Sequence, residues 1–305
     1  MPGQDEPLSQ HVADAASLHV PVLLETVRSC LPAGGHILDC TLGMGGHSQA
    51  MLDAGCRVTA IDRDAQAREL AARRLADDGD RLQLRAGDFA SVCEALVAAG
   101  ECFDGVLADL GVSSLQLDSD HRAFGIRSTQ ALDLRMDPEV GEPAHRLIQR
   151  LSAQELADVL FEYGEERRSR RIAPALQAAV AAGRISGADL AAAIRSVVPG
   201  RHKRHPALRS FQALRIAVND ELGQLRRLLA LLPRLLRAGG RGVIISFHSL
   251  EDRLVKQAFR AGLRAGVFET ISKKVIVADA AEQRANPRAH AAKLRWCQRA
   301  REEES

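Results

Sequence analysis

Two aspartates end strand-like apolar runs where a parallel sheet would present them to a ligand. Asp62 ends the run "RVTAID" and Asp109 ends "FDGVLAD". Open α/β sheets bind ligands at the carboxyl ends of their strands. A carboxylate there can accept hydrogen bonds from hydroxyl or amino groups. The positions of Asp62 and Asp109 therefore indicate a binding edge that recognises donors on a ligand.

A glycine-rich turn, "GMGGHS" at 43–48, follows the run "HILDC" and opens a helix. Such a turn lets a ligand approach backbone N–H groups closely. The dinucleotide pattern G-x-G-x-x-G would place a third glycine at Ser48, which argues against a nicotinamide dinucleotide. Asp62 lies about 20 residues further on, where a carboxylate reads ribose hydroxyls. We therefore expect an adenosine-containing ligand; a purely structural tight turn is the alternative.

The elements that position these residues alternate along the chain. Strand-like runs are separated by amphipathic helical patterns, one of them opened by the capping residue Asp64 and another closed by Gly100. Ser249 and Asp252 have the spacing of a capping box at a later helix start. The strand-like runs are "HILDC", "RVTAID", "LQLRAGDF", "FDGVLADLG", "RGVIISF", "FETISKKVIV" and "AKLRWCQRA". This alternation predicts an α/β fold with a doubly wound, mainly parallel sheet.

The alternation stops between Asp118 and Arg215, where the chain is polar, rich in helical patterns and without a convincing strand. We therefore predict an inserted helical domain at 118–215. The α/β domain is then formed by residues 1–117 and 216–305. A single helix is expected around "QALRIAVNDELGQLRRLLALLPRLLRAGG", where the sheet pattern resumes.

Composition narrows the class of protein. Of 305 residues, 46% are hydrophobic, which is ample for a folded core, and the net charge of +2 does not by itself predict a polyanionic partner. The six cysteines form no C-x-x-C pair, which favours reduced, buried thiols in the cytoplasm. No signal peptide, membrane span or H-E-x-x-H metal motif is expected, and no feature predicts an oligomeric state.

The order Asp39-x-Thr41-x-Gly43-x-Gly45 resembles the D-x-G-x-G-x-G turn of class I S-adenosylmethionine methyltransferases, with threonine replacing the first glycine. Further motifs resemble the bacterial ribosomal RNA small subunit methyltransferase H family from about His19 to Arg299. "DLGVSS" and "SFHSLEDR" are the most specific. The others are "HVPVLLETV", "GMGGHS", "AIDRD", "GDF", "LDLRMD", "YGEER", "RIA", "HPALRSFQALRIAVNDEL" and "NPRAHAAKLR".

The resemblance implies a class I methyltransferase Rossmann-like fold whose insertion recognises the substrate. It implies S-adenosylmethionine as cofactor and N4-methylation of a cytidine in the decoding region of 16S ribosomal RNA, within the small ribosomal subunit, without a metal. The implied cofactor-binding residues are Gly45, Gly46, His47, Asp62, Phe89, Asp109 and Gln116. The glycines and Asp62 are also indicated by the turn pattern itself. For His47, capping or solvating its helix is the alternative role.

Asp109 is the candidate catalytic residue. The exocyclic amine of cytosine is a poor nucleophile because its lone pair is delocalised into the ring. A carboxylate that accepts its hydrogens can draw the nitrogen toward a tetrahedral shape and orient it. A turn or cap role for Asp109 is the alternative. Methylation at carbon 5 would instead need a nucleophilic cysteine, usually after proline, and none of the six follows a proline.

A basic stretch from Arg195 to Arg215 contains no acidic residue. We predict that Arg201, Lys203 and Arg204 contact RNA phosphates, with a solvated basic loop as the alternative. Because only 3% of residues are aromatic, recognition by electrostatics and shape is expected rather than by base stacking.

Two other functions remain as competing hypotheses. An oxidoreductase could use the same fold, although Ser48 counts against it. A noncatalytic RNA-binding factor could retain a methyltransferase fold, although "ADLGVSS" and Asp62 are intact. The sequence also departs from the family pattern in the substrate region, at Gly125-Ile126, Gln130-Ala131 and His290-Ala291.

Overall fold

The computed structural model of the protein describes residues 20–113, 116 and 122–301. His19 of the motif "HVPVLLETV" and most of "SSLQLD" lie outside the described residues. The chain divides into two compact units. One comprises Met1–Leu110 with Leu228–Ser305, and the other comprises Gly111–Arg227. The functional boundaries at residues 118 and 215 stay a prediction.

A seven-stranded sheet forms the first unit. Its strands are β1 (His36–Asp39), β2 (Arg57–Asp62), β3 (Leu82–Ala86), β4 (Phe103–Asp109), β5 (Leu236–Ser246), β6 (Phe268–Ile271) and β7 (Lys293–Arg299). Their order is β3-β2-β1-β4-β5-β7-β6. The first five strands pair in parallel, and β7 is antiparallel to both β5 and β6. The predicted α/β fold with a mainly parallel sheet is therefore confirmed, with one antiparallel strand.

The α-helices of the described residues, in chain order, are α1 (Leu24–Cys30), α2 (Gly46–Asp53), α3 (Ala65–Arg74), α4 (Phe89–Ala98), α5 (Ala144–Arg150), α6 (Ala153–Gly164), α7 (Ser169–Ala181), α8 (Gly187–Val197), α9 (Leu208–Asn219), α10 (Glu221–Leu235), α11 (Ser249–Arg264) and α12 (Ala280–Ala285). Within the described chain, none has the length and apolar character needed to cross a membrane.

Capping residues explain where the helices beside the sheet begin. Asp64 accepts a hydrogen bond from the Gln66 N–H at the start of α3, as predicted. Gly100, with φ of 75°, follows the end of α4, also as predicted. The start of α11 differs from the prediction, because the cap is His248 with Glu251 rather than Ser249 with Asp252.

The central strands form the core of the first unit because both of their faces are covered. Residues Ile37 and Leu38 of β1 are fully buried, as are Val243 and Ile245 of β5. Continuous apolar strands of this kind are typical of parallel sheets. The rigid core fixes the strand ends that carry the polar residues of the site.

The second unit is helical, with α5 to α9 and the first half of α10. Capping boxes open α6 at Ser152 and α8 at Ser186. Their apolar faces bury residues such as Leu156 and Leu190. Among its described residues, β-type pairing is limited to one isolated bridge, between Ala131 and Ser186. This agrees with the predicted helical insertion.

The single helix expected around residues 212–240 is wrong. Asp220 adopts a left-handed conformation, with φ of 49°, and separates α9 from α10. The "LRAGG" end of that segment is also not helical, because β5 already begins at Leu236. Apolar periodicity continued across both breaks, so the pattern alone did not reveal them.

Asn219, the last residue of α9, holds a strained loop of the second unit. Its Oδ1 accepts a hydrogen bond from the Met136 N–H at 2.8 Å. Its Nδ2 donates to the carbonyls of Leu134 and Arg215 at 2.7 and 2.8 Å. Leu134 has a φ of 66°, which is unfavourable for a residue with a branched side chain. The motif "LDLRMD" is thus tied to "AVND" through one buried amide.

Candidate active site

The register of the sheet places three carboxylates at one edge. Asp39 ends β1 and pairs with Ala60, so Asp62 lies two residues beyond it on β2. Asp39 also pairs with Leu107, so Asp109 lies two residues beyond it on β4. All three therefore face the carboxyl edge of the sheet, where ligands bind in open α/β folds.

The glycine turn between β1 and α2 depends on left-handed backbone conformations. Gly43 and Gly45 have φ of 51° and 75°. A Cβ at Gly45 would contact Leu75 at 3.0 Å, and one at Gly46 would lie 2.5 Å from Pro21. A Cβ at Gly43 would meet no atom within 4 Å. Gly43 is therefore the glycine of the three whose Cβ position is open to an approaching ligand, while Gly45 and Gly46 permit close packing.

Asp62 is held toward that turn by backbone donors. Its Oδ2 accepts from the Gly43 N–H at 2.8 Å, and its Oδ1 accepts from the Asp64 N–H at 2.9 Å. Burial raises the pKa of Asp62 to about 6, against the lowering effect of these hydrogen bonds. A carboxylate oxygen can accept more than one hydrogen bond, so both oxygens retain capacity for ligand hydroxyls.

Asp39 holds the glycine turn by accepting hydrogen bonds from the residues on either side of it. Its Oδ1 accepts from the Thr41 N–H at 3.0 Å, and its Oδ2 accepts from the Ser48 hydroxyl at 2.8 Å. Burial raises the pKa of the Asp39 carboxyl. Ser48 thus has a structural reason to replace the third glycine of the dinucleotide pattern. Neither Asp39 nor Ser48 was predicted to have this role, although the departure from glycine at position 48 was a signal.

Thr41 accounts for the other departure from the common glycine pattern. Its Oγ1 accepts a hydrogen bond from the Asp109 N–H at 2.7 Å. This contact links the end of β1 to the end of β4. A glycine at position 41 would lose this link, because the threonine hydroxyl fixes the backbone that carries the Asp109 carboxylate.

His47, which is buried, and Asp109, which is half-buried, form a polar pair with free hydrogen-bonding capacity. The His47 side chain is 7% exposed and that of Asp109 is 25% exposed. Their nearest atoms, Nε2 and Oδ2, are 3.5 Å apart. Both ring nitrogens of His47 and Oδ1 of Asp109 have no hydrogen-bond partner among residues 20–113, 116 and 122–301. Such buried groups cost about 1–3 kcal/mol each, so they indicate a place for polar ligand atoms.

Phe89 and Gln116 occupy different surroundings. Phe89 is the first residue of α4 and half-buried, three residues after β3 ends at the same carboxyl edge. Gln116 belongs to the second unit. Its Oε1 accepts from the Ser113 N–H at 3.1 Å, and its Nε2 lies 3.5 Å from the Met136 carbonyl oxygen. Contact of either side chain with the cofactor stays a prediction.

The predicted RNA-contacting residues Arg201, Lys203 and Arg204 are exposed in a loop between α8 and α9. No ion pair joins them to an acid in the described part of the chain, so their charges are available. Arg215, at the end of the same basic stretch, is instead held by Glu221 through contacts of 2.7 and 2.8 Å. Within the basic stretch, the cations free to contact phosphates therefore include Arg201, Lys203 and Arg204, whereas Arg215 is already paired.

The cysteines are free thiols, and five of the six are buried. Cys102 is half-buried, so the expectation of burial is wrong at that position. Cys40 directly follows β1 but is held against Cys93, with the sulfurs 4.0 Å apart. This neighbour and burial raise the pKa of the Cys40 thiol well above its ordinary value. A protonated thiol is a poor nucleophile.

The edge can hold an adenosine-containing ligand. Asp62 offers acceptors for a ribose, and the open space at Gly43 admits a ligand against the backbone. His47 and Asp109 add buried polar atoms with free capacity. The residues present therefore fit S-adenosylmethionine, which needs no phosphate cradle. The same carboxylate of Asp109 could accept from an incoming amine.

Comparison with known proteins gives a consistent assignment. The sequence profile described as the MraW methylase family matches residues 16–300. Curated relatives named ribosomal RNA small subunit methyltransferase H include one from Acidobacterium capsulatum, 46% identical over 91% of this chain and 97% of that protein. Another from Sorangium cellulosum is 47% identical over 92% of this chain and 90% of that protein. A third, from Synechococcus sp., is 49% identical over 92% of this chain and 95% of that protein.

Proposed function

The chain belongs to the MraW methylase family and has S-adenosylmethionine as its cofactor, and we propose that it N4-methylates a cytidine in the decoding region of 16S ribosomal RNA. The relatives' names support ribosomal RNA of the small subunit as the substrate class. The observation that carries the amine chemistry is the Asp109 carboxylate at the end of β4. Its Oδ1 is buried and has no hydrogen-bond partner among the described residues.

S-adenosylmethionine supplies an electrophilic methyl group when bound. In the proposal Asp62 accepts hydrogen bonds from its ribose hydroxyls, and the turn at Gly45, Gly46 and His47 borders it. Phe89 lies beside its adenine, and Gln116 and Asp109 complete the site. The Asp39, Thr41 and Ser48 contacts support these residues by fixing the turn and the end of β4.

Asp109 also receives the cytosine amine in this proposal. Its carboxylate accepts from an amino hydrogen, which localises the lone pair on nitrogen and directs it at the methyl carbon. As the nitrogen–carbon bond formed, the bond from that methyl carbon to the sulfonium sulfur would break to leave S-adenosylhomocysteine, and the nitrogen would lose one proton to the Asp109 carboxylate or to water. In this proposal Asp109 thus positions the amine and is also a candidate acceptor of the proton that it loses.

The cysteines support nitrogen as the methylated atom. Methylation of carbon 5 requires a thiolate that attacks the ring. Cys40 lies beside the carboxyl edge, but its raised pKa keeps its thiol protonated. The site therefore offers an acceptor for an amine, and Cys93 and burial oppose ionisation of the thiol that directly follows β1.

The RNA would be recognised by exposed cations as well as by the site. Arg201, Lys203 and Arg204 are unpaired with described acids and can approach phosphates. The target nucleotide must also leave any base stack to reach the carboxyl edge. Binding within the small ribosomal subunit in the cytoplasm is part of the same proposal.

Methyl transfer to small ribosomal subunits that lack the modification tests this function. Purified protein would be incubated with these subunits and methyl-labelled S-adenosylmethionine, and the nucleosides would be separated and identified by mass spectrometry. We expect label in N4-methylcytidine, within nuclease fragments of the decoding region.

Three results would contradict the proposal at different levels. Label on adenine or on carbon 5 of cytosine would overturn the amine chemistry. N4-methylcytidine from another part of 16S ribosomal RNA would overturn the decoding-region assignment. No transfer by folded protein that binds S-adenosylhomocysteine would favour a noncatalytic RNA-binding role.

A further inference from the structure

A basic groove lies at the far side of the sheet in the first unit, between α11 and the chain that follows β6. It has a volume of about 700 Å³. Its charged lining residues are Lys256, Arg260, Lys273, Lys274, Arg295 and Glu269. Five of these six residues are cationic. The groove was not indicated by the net charge of +2, because that charge is summed over the whole chain.

Most of this positive charge is not neutralised by the protein. Arg295 is held by Asp252, with Nε 2.7 Å from a carboxylate oxygen. The other four cations form no ion pair with an acid in residues 20–113, 116 and 122–301. Arg260, Lys273 and Lys274 are exposed. Like charges that line one groove repel each other, and a polyanion would relieve that repulsion.

The register of the sheet shows that the groove reaches the level of the active site. Lys273 and Lys274 precede Ile276, which bridges to β7. One row of register partners crosses the sheet at this level through Asp109, Ile245, Leu294 and Ile276. Adjacent strands are about 4.8 Å apart, so three intervals separate this chain segment from Asp109 by roughly 14 Å. A strand of nucleic acid could contact both places.

We propose that this groove binds the phosphate backbone of the RNA substrate beside the nucleotide that enters the active site. The inference rests on the proposed function, because it assumes an RNA substrate. Lys273 and Lys274 provide the contacts nearest to the carboxyl edge, and Arg260 and Lys256 continue them along α11. These flexible cations suit phosphates, which need charge without base-specific contacts.

The chemistry of the groove favours RNA over an acidic protein surface. Several cations follow one groove, which matches the repeated phosphates of a single strand. The apolar lining contributed by Phe259 and Leu263 lies on α11, and Leu263 is 40% exposed. Ile271 and Val275 add to this apolar lining, and the four unneutralised cations supply the electrostatic contacts.

A double variant that removes two positive charges, Lys273→Gln with Lys274→Gln, tests whether the groove binds RNA. Both side chains are exposed, so the fold should be retained, and binding of S-adenosylhomocysteine confirms it. The matched control is Arg57→Gln with Arg234→Gln, which removes two exposed charges at the opposite, amino-end edge of the sheet. The probe is a fluorescent, single-stranded RNA of about 30 nucleotides, long enough to exceed the ~16-nucleotide sites of single-strand binding folds, titrated at several salt concentrations.

We expect the groove variant to lower the slope of log affinity against log salt by roughly 1.4, since each phosphate neutralised on a single strand contributes roughly 0.7. The control variant should retain the wild-type slope. In methyl transfer to small subunits, the groove variant should show a raised KM with an unchanged kcat at saturating subunits.

A slope and KM equal to those of the control would overturn the inference and leave an acidic protein as the occupant to examine. This outcome differs from failure of the proposed function. If wild-type protein transferred no methyl group to subunits, that function would fail, whereas the salt slope on the RNA probe would still test the groove.

Discussion

Nε2 of His47 lies 3.5 Å from Oδ2 of Asp109 at the carboxyl edge of the sheet. Neither side chain completes a hydrogen bond to the other. At 3.5 Å the two atoms are too far apart for a good hydrogen bond. The pair therefore leaves the Asp109 carboxylate able to accept from other donors. This property distinguishes Asp109 from Asp39, whose two oxygens are both engaged by the turn.

Asp109→Asn should lower the single-turnover rate of methyl transfer about 100-fold or more at saturating S-adenosylmethionine. The asparagine keeps the size but turns one acceptor into a donor, which would repel an incoming amino group. Asp104→Asn is the control, because Asp104 lies on the same strand but pairs with Arg237 at its other end. A normal rate in folded Asp109→Asn would make Asp109 a structural residue.

The affinity for S-adenosylhomocysteine should fall as pH falls below about 6. The pKa of Asp62 is raised to about 6 in the free protein by burial. Ribose hydroxyls donate to the ionised carboxylate, so protonation of Asp62 opposes binding. Calorimetry should therefore show roughly tenfold weaker binding at pH 5 than at pH 7.

Asp62→Ala provides the matched test of that pH dependence. It should lose about 1.5–3 kcal/mol of binding free energy at pH 7, because a charge-assisted hydrogen bond is removed. The remaining affinity should vary little between pH 5 and pH 7. A steep pH dependence in the variant would show that another group, such as Asp39, is responsible.

Gly43→Ala and Gly55→Ala should separate backbone strain from ligand contact. Both glycines have positive φ, 51° and 81°, and a Cβ at either would meet no atom within 4 Å. Each substitution should therefore destabilise the protein by about 1 kcal/mol. Only Gly43→Ala should also weaken S-adenosylhomocysteine binding, because only its Cβ enters the turn beside Asp62. Equal affinities in the two variants would remove Gly43 from the site.

Neutralising Arg201, Lys203 and Arg204 together should reduce the salt dependence of RNA binding, by roughly 0.7 in slope for each phosphate that these cations neutralise. The three side chains are exposed, so cofactor affinity should be unchanged. Fluorescence titration of a single-stranded RNA at several salt concentrations measures the slope. If the slope does not change, the loop is a solvated surface.

Asn219→Ala should lower the free energy of unfolding of the protein by about 2–4 kcal/mol, measured by chemical denaturation. It removes three hydrogen bonds and leaves the Met136 N–H and Leu134 carbonyl without this partner. Gln212→Ala, on the same helix, removes one bond to the Tyr163 carbonyl and should cost about 1 kcal/mol or less. Similar losses in both variants would contradict the special role of Asn219.

Local patterns were sufficient to predict the sheet and the position of Asp62 at its carboxyl edge. Each of the seven predicted strand-like runs overlaps a strand, because the apolar residues of central strands must be buried whichever strands lie beside them. Asp62 could be predicted because its spacing from the glycine turn is set by one strand–helix–strand unit. The antiparallel direction of β7 could not, since a short apolar run carries no sign of direction.

Contacts between distant residues were the part that the sequence did not predict. The link from Thr41 to the Asp109 N–H joins residues 68 positions apart. The basic groove brings α11 together with the chain after β6, so its charges are scattered in sequence. The break at Asp220 was missed for a different reason, because an aspartate in left-handed conformation leaves the apolar periodicity intact.

The placement of β7 between β5 and β6 has a consequence for how the protein folds during its synthesis. Among the strands of the described sheet, residues 293–299 are the last to leave the ribosome. Until then, β5 and β6 are separated by an unfilled gap and expose unpaired backbone groups. The nascent protein is therefore expected to need protection from edge-to-edge association, and the sheet can close only as these last strand residues emerge.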